Sequence, residues 1–170
     1  MIDEEGCTFR ICVRYEAPDP EAPVVAVIGD SIARSLDAEF IEHAKREGWT
    51  VVMAASGGCR ISHLLTSGEE GSDDYEPCFE ATPALWQRVV ARWEPDLVIA
   101  IDNMETYDFV GKTGGIVARG TPDHLEAERR ELAVVVETFT EEGTQYAFMA
   151  VPRRVTPPEC LRQETAALAA

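Results

Sequence analysis

The stretch of sequence that decides the fold is Val24-Val25-Ala26-Val27-Ile28-Gly29-Asp30-Ser31. Its apolar residues follow one another without alternation and end at Gly29, which is typical of a parallel strand buried on both faces of a sheet. From Ile32 to Glu47 an apolar side chain returns about every four positions before Gly48, and this spacing predicts an amphipathic helix. Together they start a β-α-β unit.

The same alternation continues along the chain. Further apolar runs predict strands over residues 50–55, 97–101 and 145–151. Amphipathic spacing predicts helices over residues 83–93 and from the cap Thr121 to a stop at Gly143, with loops over residues 60–80 and 102–120. Strands alternating with helices form a parallel sheet with right-handed crossovers and helices on both faces. We expect a three-layer α/β fold.

The length of 170 residues suits one domain. Residues 1–23 include the proline-rich stretch 17–23 and show no periodicity, so we expect an irregular lead-in followed by one domain over residues 24–170.

The net charge is −16, from 31 acidic and 15 basic residues. An excess of this sign argues against nucleic acid and anionic membrane surfaces as partners, because both require a positive patch. Neither a Gly-x-Gly-x-x-Gly motif nor a P-loop occurs, which argues against nucleotide binding. No carboxylate or histidine cluster has the spacing of metal ligands, so we expect neither a metal nor an organic cofactor.

The cysteines are Cys7, Cys12, Cys59, Cys78 and Cys160, and none of them forms a Cys-x-x-Cys pair. Disulfides Cys7–Cys12 and Cys59–Cys78 would close short loops and leave Cys160 to a partner outside the chain, in an extracytoplasmic compartment. The alternative is buried free thiols in a cytoplasmic protein.

Ligands of a parallel sheet bind at the carboxyl ends of its strands. Four candidate segments lie at the ends of predicted strands: Gly29-Asp30-Ser31, Gly57-Gly58, Asp102-Asn103 and the residues after Pro152. Ser31 stands between a buried strand and a helix, which is a favourable place for a nucleophile. The alternative is that Ser31 or Asp30 merely caps the helix.

Several blocks of the sequence resemble a known family. Val27-Ile28-Gly29-Asp30-Ser31 resembles the Gly-Asp-Ser block that opens SGNH hydrolases. The similarity to the SGNH domain fused to bacterial membrane-bound acyltransferases, which O-acylate cell-envelope glycans, runs from about Cys7 to the end of the chain. It is carried by residues 33–37, Gly48-Trp49, Gly57-Gly58-Cys59, residues 120–124 and residues 157–161.

The resemblance implies a flavodoxin-like fold in which Ser31 attacks an acyl carbonyl and Asp30 supports the motif. The amides of Ser31 and Gly58 would then stabilise the oxyanion. The family's third donor is an asparagine in a Gly-x-Asn-Asp block. The corresponding stretch here is Asp102-Asn103-Met104-Glu105, with the asparagine displaced by one position, so Asn103 is either that donor or a loop residue with local bonds.

The family's catalytic base lies in an Asp-x-x-His block near its carboxyl terminus, after a last strand, and no such block occurs in this sequence. His43 falls on the exposed side of the first predicted helix. His63 and His124 are candidates for a base or a substrate contact, or else an incidental loop residue and a helix-start residue. We expect these residues to lack the last strand and the base, and to be inactive alone.

The resemblance thus implies a parent serine esterase or O-acyltransferase on the extracytoplasmic face of the membrane. Its partners would be an acyl donor, a glycan or other ester substrate, and a membrane acyltransferase domain. The alternative is a non-catalytic domain that binds a glycan or a protein through the same cleft.

Overall fold

The computed structural model describes residues 7–8, 11–55, 61, 76–102, 108–110, 115–140 and 143–150, with the backbone alone at 7–8, 76–84 and 150. The strands are β1 (Cys7–Thr8), β2 (Ile11–Tyr15), β3 (Val24–Gly29), β4 (Thr50–Ala55), β5 (Leu97–Asp102), β6 (Phe109–Val110), β7 (Ile116–Val117) and β8 (Gln145–Ala150). The helices are α1 (Ser31–Ser35), α2 (Asp37–Glu47), α3 (Glu76–Trp93) and α4 (Pro122–Thr140).

Among the described residues, six strands join one sheet in the order β1-β2-β4-β3-β5-β8. Strand β3 pairs in parallel with β4 on one side and with β5 on the other, and β5 pairs in parallel with β8. β3, the strand predicted from the uninterrupted apolar run, therefore lies between the next two strands of the chain that join it in parallel. The order of the strands reverses at β3, and in such a sheet a crevice lies at the carboxyl end of the strand where the order reverses.

Each face of the sheet carries its own hydrophobic cluster, because alternate residues of a strand point to opposite faces. One cluster packs α3 and α4 against Ala26, Ile28, Val52, Ala54, Val98 and Ala100. The other packs α1 and α2 against Val27, Met53 and Ile101. Helices cover both faces of a mainly parallel sheet, which confirms the predicted α/β fold.

The expectation of an irregular lead-in over residues 1–23 differs from the structure. β1 and β2 form an antiparallel hairpin, and β2 joins β4 as an antiparallel strand. The signal for β2 is the period-two pattern of Ile11, Val13 and Tyr15, with Ile11 fully buried in the core. The proline-rich stretch therefore begins only after a strand that widens the sheet.

The helix predicted over residues 32–47 is divided into α1 and α2 at Leu36. The Ser35 hydroxyl donates to the Ile32 carbonyl oxygen at 2.7 Å, a local bond that competes with helix continuation. Asp37 then opens α2, where a carboxylate suits the helix N-terminus. Arg14 of β2 pairs with Asp37, with Nη2 and Oδ2 2.6 Å apart, and so ties the hairpin to α2.

Two further boundaries differ from the prediction. Helix α3 begins at Glu76, so Pro83 lies inside it and does not mark its first turn. The predicted loop 102–120 contains the antiparallel pair of β6 and β7. Phe109 of β6 is 1% exposed and anchors this pair in the core. Strands of two residues are too short to produce a readable period.

Candidate active site

The turn from β3 into α1 depends on Gly29. Its φ is +148°, and a Cβ there would lie 2.0 Å from the Ile101 carbonyl oxygen and 2.9 Å from the Ala33 Cβ. Ala33 itself is fully buried. Only a residue without a side chain lets the end of β3, the neighbouring strand β5 and the first turn of α1 approach this closely.

Asp30 is the cap of α1. Its side chain is buried, with the residue 6% exposed, and Oδ1 accepts a hydrogen bond from the Ile32 N–H at 2.7 Å. Capping of this kind contributes about 1 kcal/mol. The interpretation that Asp30 caps the helix is confirmed, and the interpretation that Ser31 does so is wrong.

Ser31 is the first residue of α1, and it is exposed. It directly follows the turn at the carboxyl end of β3, flanked by the carboxyl ends of β4 and β5 through the pairings of Gly29 with Ala55 and with Ile101. A hydroxyl here is accessible to a substrate that enters the crevice. The structure thus keeps the capping role and the exposed hydroxyl on two successive residues.

Asp102 ends β5 beside this turn. It is 2% exposed, and its Oδ2 accepts a hydrogen bond from the Ile61 N–H at 2.9 Å. The Ile61 carbonyl oxygen in turn accepts from the Trp86 indole Nε1–H at 3.1 Å. In the sequence Asp102 stood out only as the neighbour of Asn103. The missed signal is a carboxylate placed directly at the end of a buried strand.

Tyr146 of β8 adds a second polar group near Asp102. Burial raises the pKa of the Tyr146 phenol, and the negative charge of Asp102 raises it further. The phenol ring stacks with Phe139, with ring centroids 6.1 Å apart. Its hydroxyl has no hydrogen-bond partner among the residues that the structure describes. The phenol therefore stays neutral well above the pH at which an exposed tyrosine ionises.

His124 lies in the first turn of α4, where its backbone N–H donates to the Thr121 hydroxyl oxygen at 3.3 Å. The residue is 1% exposed, its ring stacks on Phe109 with centroids 4.3 Å apart, and its Nδ1 lies 3.6 Å from the Glu128 Oε2. A ring buried in this way is not presented to a substrate. Helix α4 also covers the face of the sheet opposite to α1.

Of the remaining residues singled out in the sequence, His43 lies among the described residues and several others do not. His43 lies on α2 with its ring 4.9 Å from that of Trp49, on the surface of the domain. Several predicted site residues lie outside the described residues: Gly57, Gly58, Cys59, His63, Asn103 and Cys160. Their roles stay predictions.

Within the described parts of the chain, no three His, Cys, Asp or Glu side chains converge as metal ligands would. None of the helices in these parts of the chain has the length and apolar character that crossing a membrane requires.

An exposed serine at the carboxyl end of the central strand, with helices on both faces of a mainly parallel sheet, defines an α/β domain of flavodoxin-like type. The chain belongs to the SGNH domain family: the model of the SGNH domain fused to AT3 domains matches residues 2–170. No curated protein matches the chain. Membership in this family indicates hydrolase or acyltransferase activity in general, and the fusion indicates a membrane-associated parent protein.

Proposed function

We propose that this domain hydrolyses or transfers an ester-linked acyl group through an acyl-enzyme on Ser31. The observation that carries the proposal is the exposed Ser31 directly after the central strand, with Asp30 as the helix cap. In the first step the Ser31 Oγ attacks the acyl carbonyl, its proton passes to a base, and the alcohol leaves with a proton from that base. In the second step water or a glycan hydroxyl attacks the acyl-enzyme and releases Ser31.

The oxyanion of both steps requires preorganised donors. We assign this role to the amides of Ser31 and Gly58, and propose Asn103 as a third donor. Loss of one such donor costs roughly 3 kcal/mol of transition-state stabilisation. We propose a cell-envelope glycan as the acyl acceptor or ester substrate, and an acyl donor delivered by the membrane acyltransferase domain, since family members are fused to AT3 domains.

A base must accompany Ser31, and no Asp-x-x-His block occurs in these 170 residues. We propose that this block is supplied by polypeptide outside them. The chain and a form extended through the following coding sequence are compared with p-nitrophenyl acetate as substrate. We expect kcat/KM of the extended form to exceed that of the chain by roughly a thousand-fold or more, the usual effect of removing a triad base.

The alternative function is the binding of a glycan or a protein without catalysis, which the missing Asp-x-x-His block favours. Equal and negligible turnover in both forms, with no Asp-x-x-His in the added sequence, would establish that alternative and contradict the catalytic proposal. Calorimetric titration with envelope glycan fragments then measures the binding directly.

We propose the disulfides Cys7–Cys12 and Cys59–Cys78, and with them an extracytoplasmic location. Cys7 lies directly opposite Cys12 in the antiparallel ladder, which supports the first of these pairings. Residues opposite each other in such a ladder have Cα atoms about 4.5–5.5 Å apart, within the range of a disulfide.

Thiol titration of the unfolded, unreduced protein is expected to find one free thiol, that of Cys160. In the matched variant Cys7→Ser we expect two free thiols, those of Cys160 and Cys12, because Cys12 loses its proposed partner. Five free thiols in the original chain, all of its cysteines, would contradict both disulfides and favour a cytoplasmic protein.

A further inference from the structure

We propose that Arg34 is a specificity-determining residue, which selects esters that carry a carboxylate close to the acyl bond. The inference rests on the proposed function, because it places that carboxylate beside an ester that Ser31 attacks. It adds to the proposed function a property of the substrate, its negative charge, that the reaction itself does not require.

Arg34 lies one turn after Ser31 on the outer face of α1. Both residues are exposed, whereas Ala33 of the same helix is fully buried in the cluster that packs α1 on the sheet. Residues three positions apart in a helix are neighbours, with Cβ atoms about 5–6 Å apart. Because helical side chains lean towards the N-terminus of their helix, Arg34 covers the turn that begins with Ser31. Its guanidinium can therefore reach a group attached close to an ester bond at Ser31.

The guanidinium of Arg34 is not used by the fold. Among the residues whose side chains the structure describes, Arg34 is the one basic residue to which the structure gives no side-chain hydrogen bond, ion pair or ring contact. A cation without an internal partner is available to a ligand, and this one stands beside the proposed nucleophile.

The two carboxylates closest to Arg34 along the chain have other partners. Asp37, three positions further on, accepts hydrogen bonds from Arg14 at 2.9 Å, 3.1 Å and 2.6 Å. Asp30, four positions before, is buried and accepts from the Ile32 N–H as the cap of α1. Both carboxylates are therefore held by contacts within the fold, and neither neutralises Arg34.

A guanidinium suits a carboxylate in particular. It can donate two parallel hydrogen bonds to the two oxygens, which fixes the orientation of the anion as well as its position. The domain as a whole does not attract anions, because its net charge is −16. A preference for an anionic ester must therefore come from a cation next to the reacting bond, and Arg34 has that position.

Two pairs of esters test the inference, and the members of each pair differ in one carboxylate. In the first pair the carboxylate belongs to the sugar: methyl glucuronide and methyl glucoside, acetylated at the same hydroxyl. In the second pair it belongs to the acyl group: methyl glucoside esterified with succinic acid or with butyric acid. The value of kcat/KM is measured on the form that contains the Asp-x-x-His block. The readout is the ratio of the charged to the neutral ester, because a general loss of activity cancels from this ratio.

We expect the unsubstituted protein to prefer the charged ester in at least one pair, and the pair shows which part of the substrate carries the anion. Arg34→Gln should lower that ratio by roughly ten-fold, between the contributions of an exposed ion pair and of a hydrogen bond to a charged group. Arg34→Lys keeps the charge without the planar fork and should recover part of the loss.

Lys45→Gln is the matched control. It removes the same charge from an exposed side chain of α2, one that pairs with Glu42 and has no place in the proposed reaction. This substitution should leave the ratio unchanged. A ratio that Arg34→Gln does not lower, or that Lys45→Gln lowers equally, overturns the inference. Preference for the neutral ester in both pairs overturns it as well.

A binding measurement decides the inference where none of the four esters is turned over. The Nε–H NMR signal of Arg34, assigned by its loss in Arg34→Gln, is followed while the chain is titrated with the same esters. A saturable shift with a charged ester and none with its neutral counterpart supports the inference, and any other result overturns it. Absence of turnover with p-nitrophenyl acetate as well contradicts the proposed function instead.

Discussion

Replacing Ser31 with alanine is expected to lower the ester turnover of the base-containing form by roughly a thousand-fold or more, with little change in stability. The loss is large because the hydroxyl is the atom that forms the acyl-enzyme, and no neighbouring group can replace it. Stability should be retained because Ser31 is exposed and the helix cap is the preceding Asp30. Initial rates with p-nitrophenyl acetate and a thermal melt measure the two quantities.

The matched control is Ser35→Ala, which changes the other serine of the same five-residue helix. Ser35 is also exposed, but its hydroxyl donates to the Ile32 carbonyl oxygen at 2.7 Å. Its replacement should leave turnover within about two-fold, because Ser35 has no role in the proposed reaction. A surface substitution of this kind usually changes the stability by no more than about 0.5 kcal/mol, so the fold around Ser31 should be retained. Equal effects of the two substitutions would exclude Ser31 as the nucleophile.

Replacing Gly29 with alanine is expected to destabilise the domain by about 3 kcal/mol or more. Two costs add: a backbone conformation with φ of +148°, and a Cβ placed 2.0 Å from the Ile101 carbonyl oxygen. Strain of the first kind costs about 1–3 kcal/mol. The second is a contact with backbone, so β3, β5 or α1 must move apart. Denaturant unfolding monitored by tryptophan fluorescence measures the loss.

Gly48→Ala separates the two costs. Gly48 has φ of +78° and open space where a Cβ would be, so its replacement carries backbone strain without a clash. We expect a loss of about 1 kcal/mol there, the cost of a side chain in the left-handed conformation. If Gly29→Ala proves no more destabilising than Gly48→Ala, the close approach of β5 to the serine turn is not required for folding.

The central part of the fold could be predicted from the sequence because its signals are local and strong. The strand predicted over residues 50–55 has the same bounds in the structure. Strand β3 extends its predicted run by one residue, Gly29. Buried parallel strands are uninterrupted apolar runs, and this pattern can be recognised in the sequence without knowing which strands lie beside them. The two-residue strands of the β6–β7 pair carry no such pattern.

The edges of the fold depend on contacts that the sequence does not display. Strand β2 is stabilised by pairing with β4, although a proline-rich stretch follows it. The division between α1 and α2 comes from one local bond and one ion pair, too little to interrupt the spacing of apolar residues. In both cases a contact with a distant part of the chain, the pairing with β4 or the Arg14–Asp37 ion pair, adds to or overrides the local pattern.

The candidate site shows the same division. Asp30 and Ser31 could be found because they directly follow the clearest strand, whereas the two hydrogen bonds to the Ile61 backbone come from residues 25 and 41 positions away. For His124 the sequence left two interpretations open, a base or substrate contact and a helix-start residue. The structure places it in the first turn of α4 with its ring buried against Phe109, which only tertiary packing decides.

Reaction with a fluorophosphonate, followed by mass spectrometry of the modified peptide, tests the nucleophile most directly. For the form that contains the Asp-x-x-His block we expect one phosphonyl adduct, located on Ser31, and we expect no adduct in its Ser31→Ala variant. An adduct on any other residue, labelling that persists in Ser31→Ala, or no labelling of the original protein would contradict the assignment of Ser31 as the nucleophile.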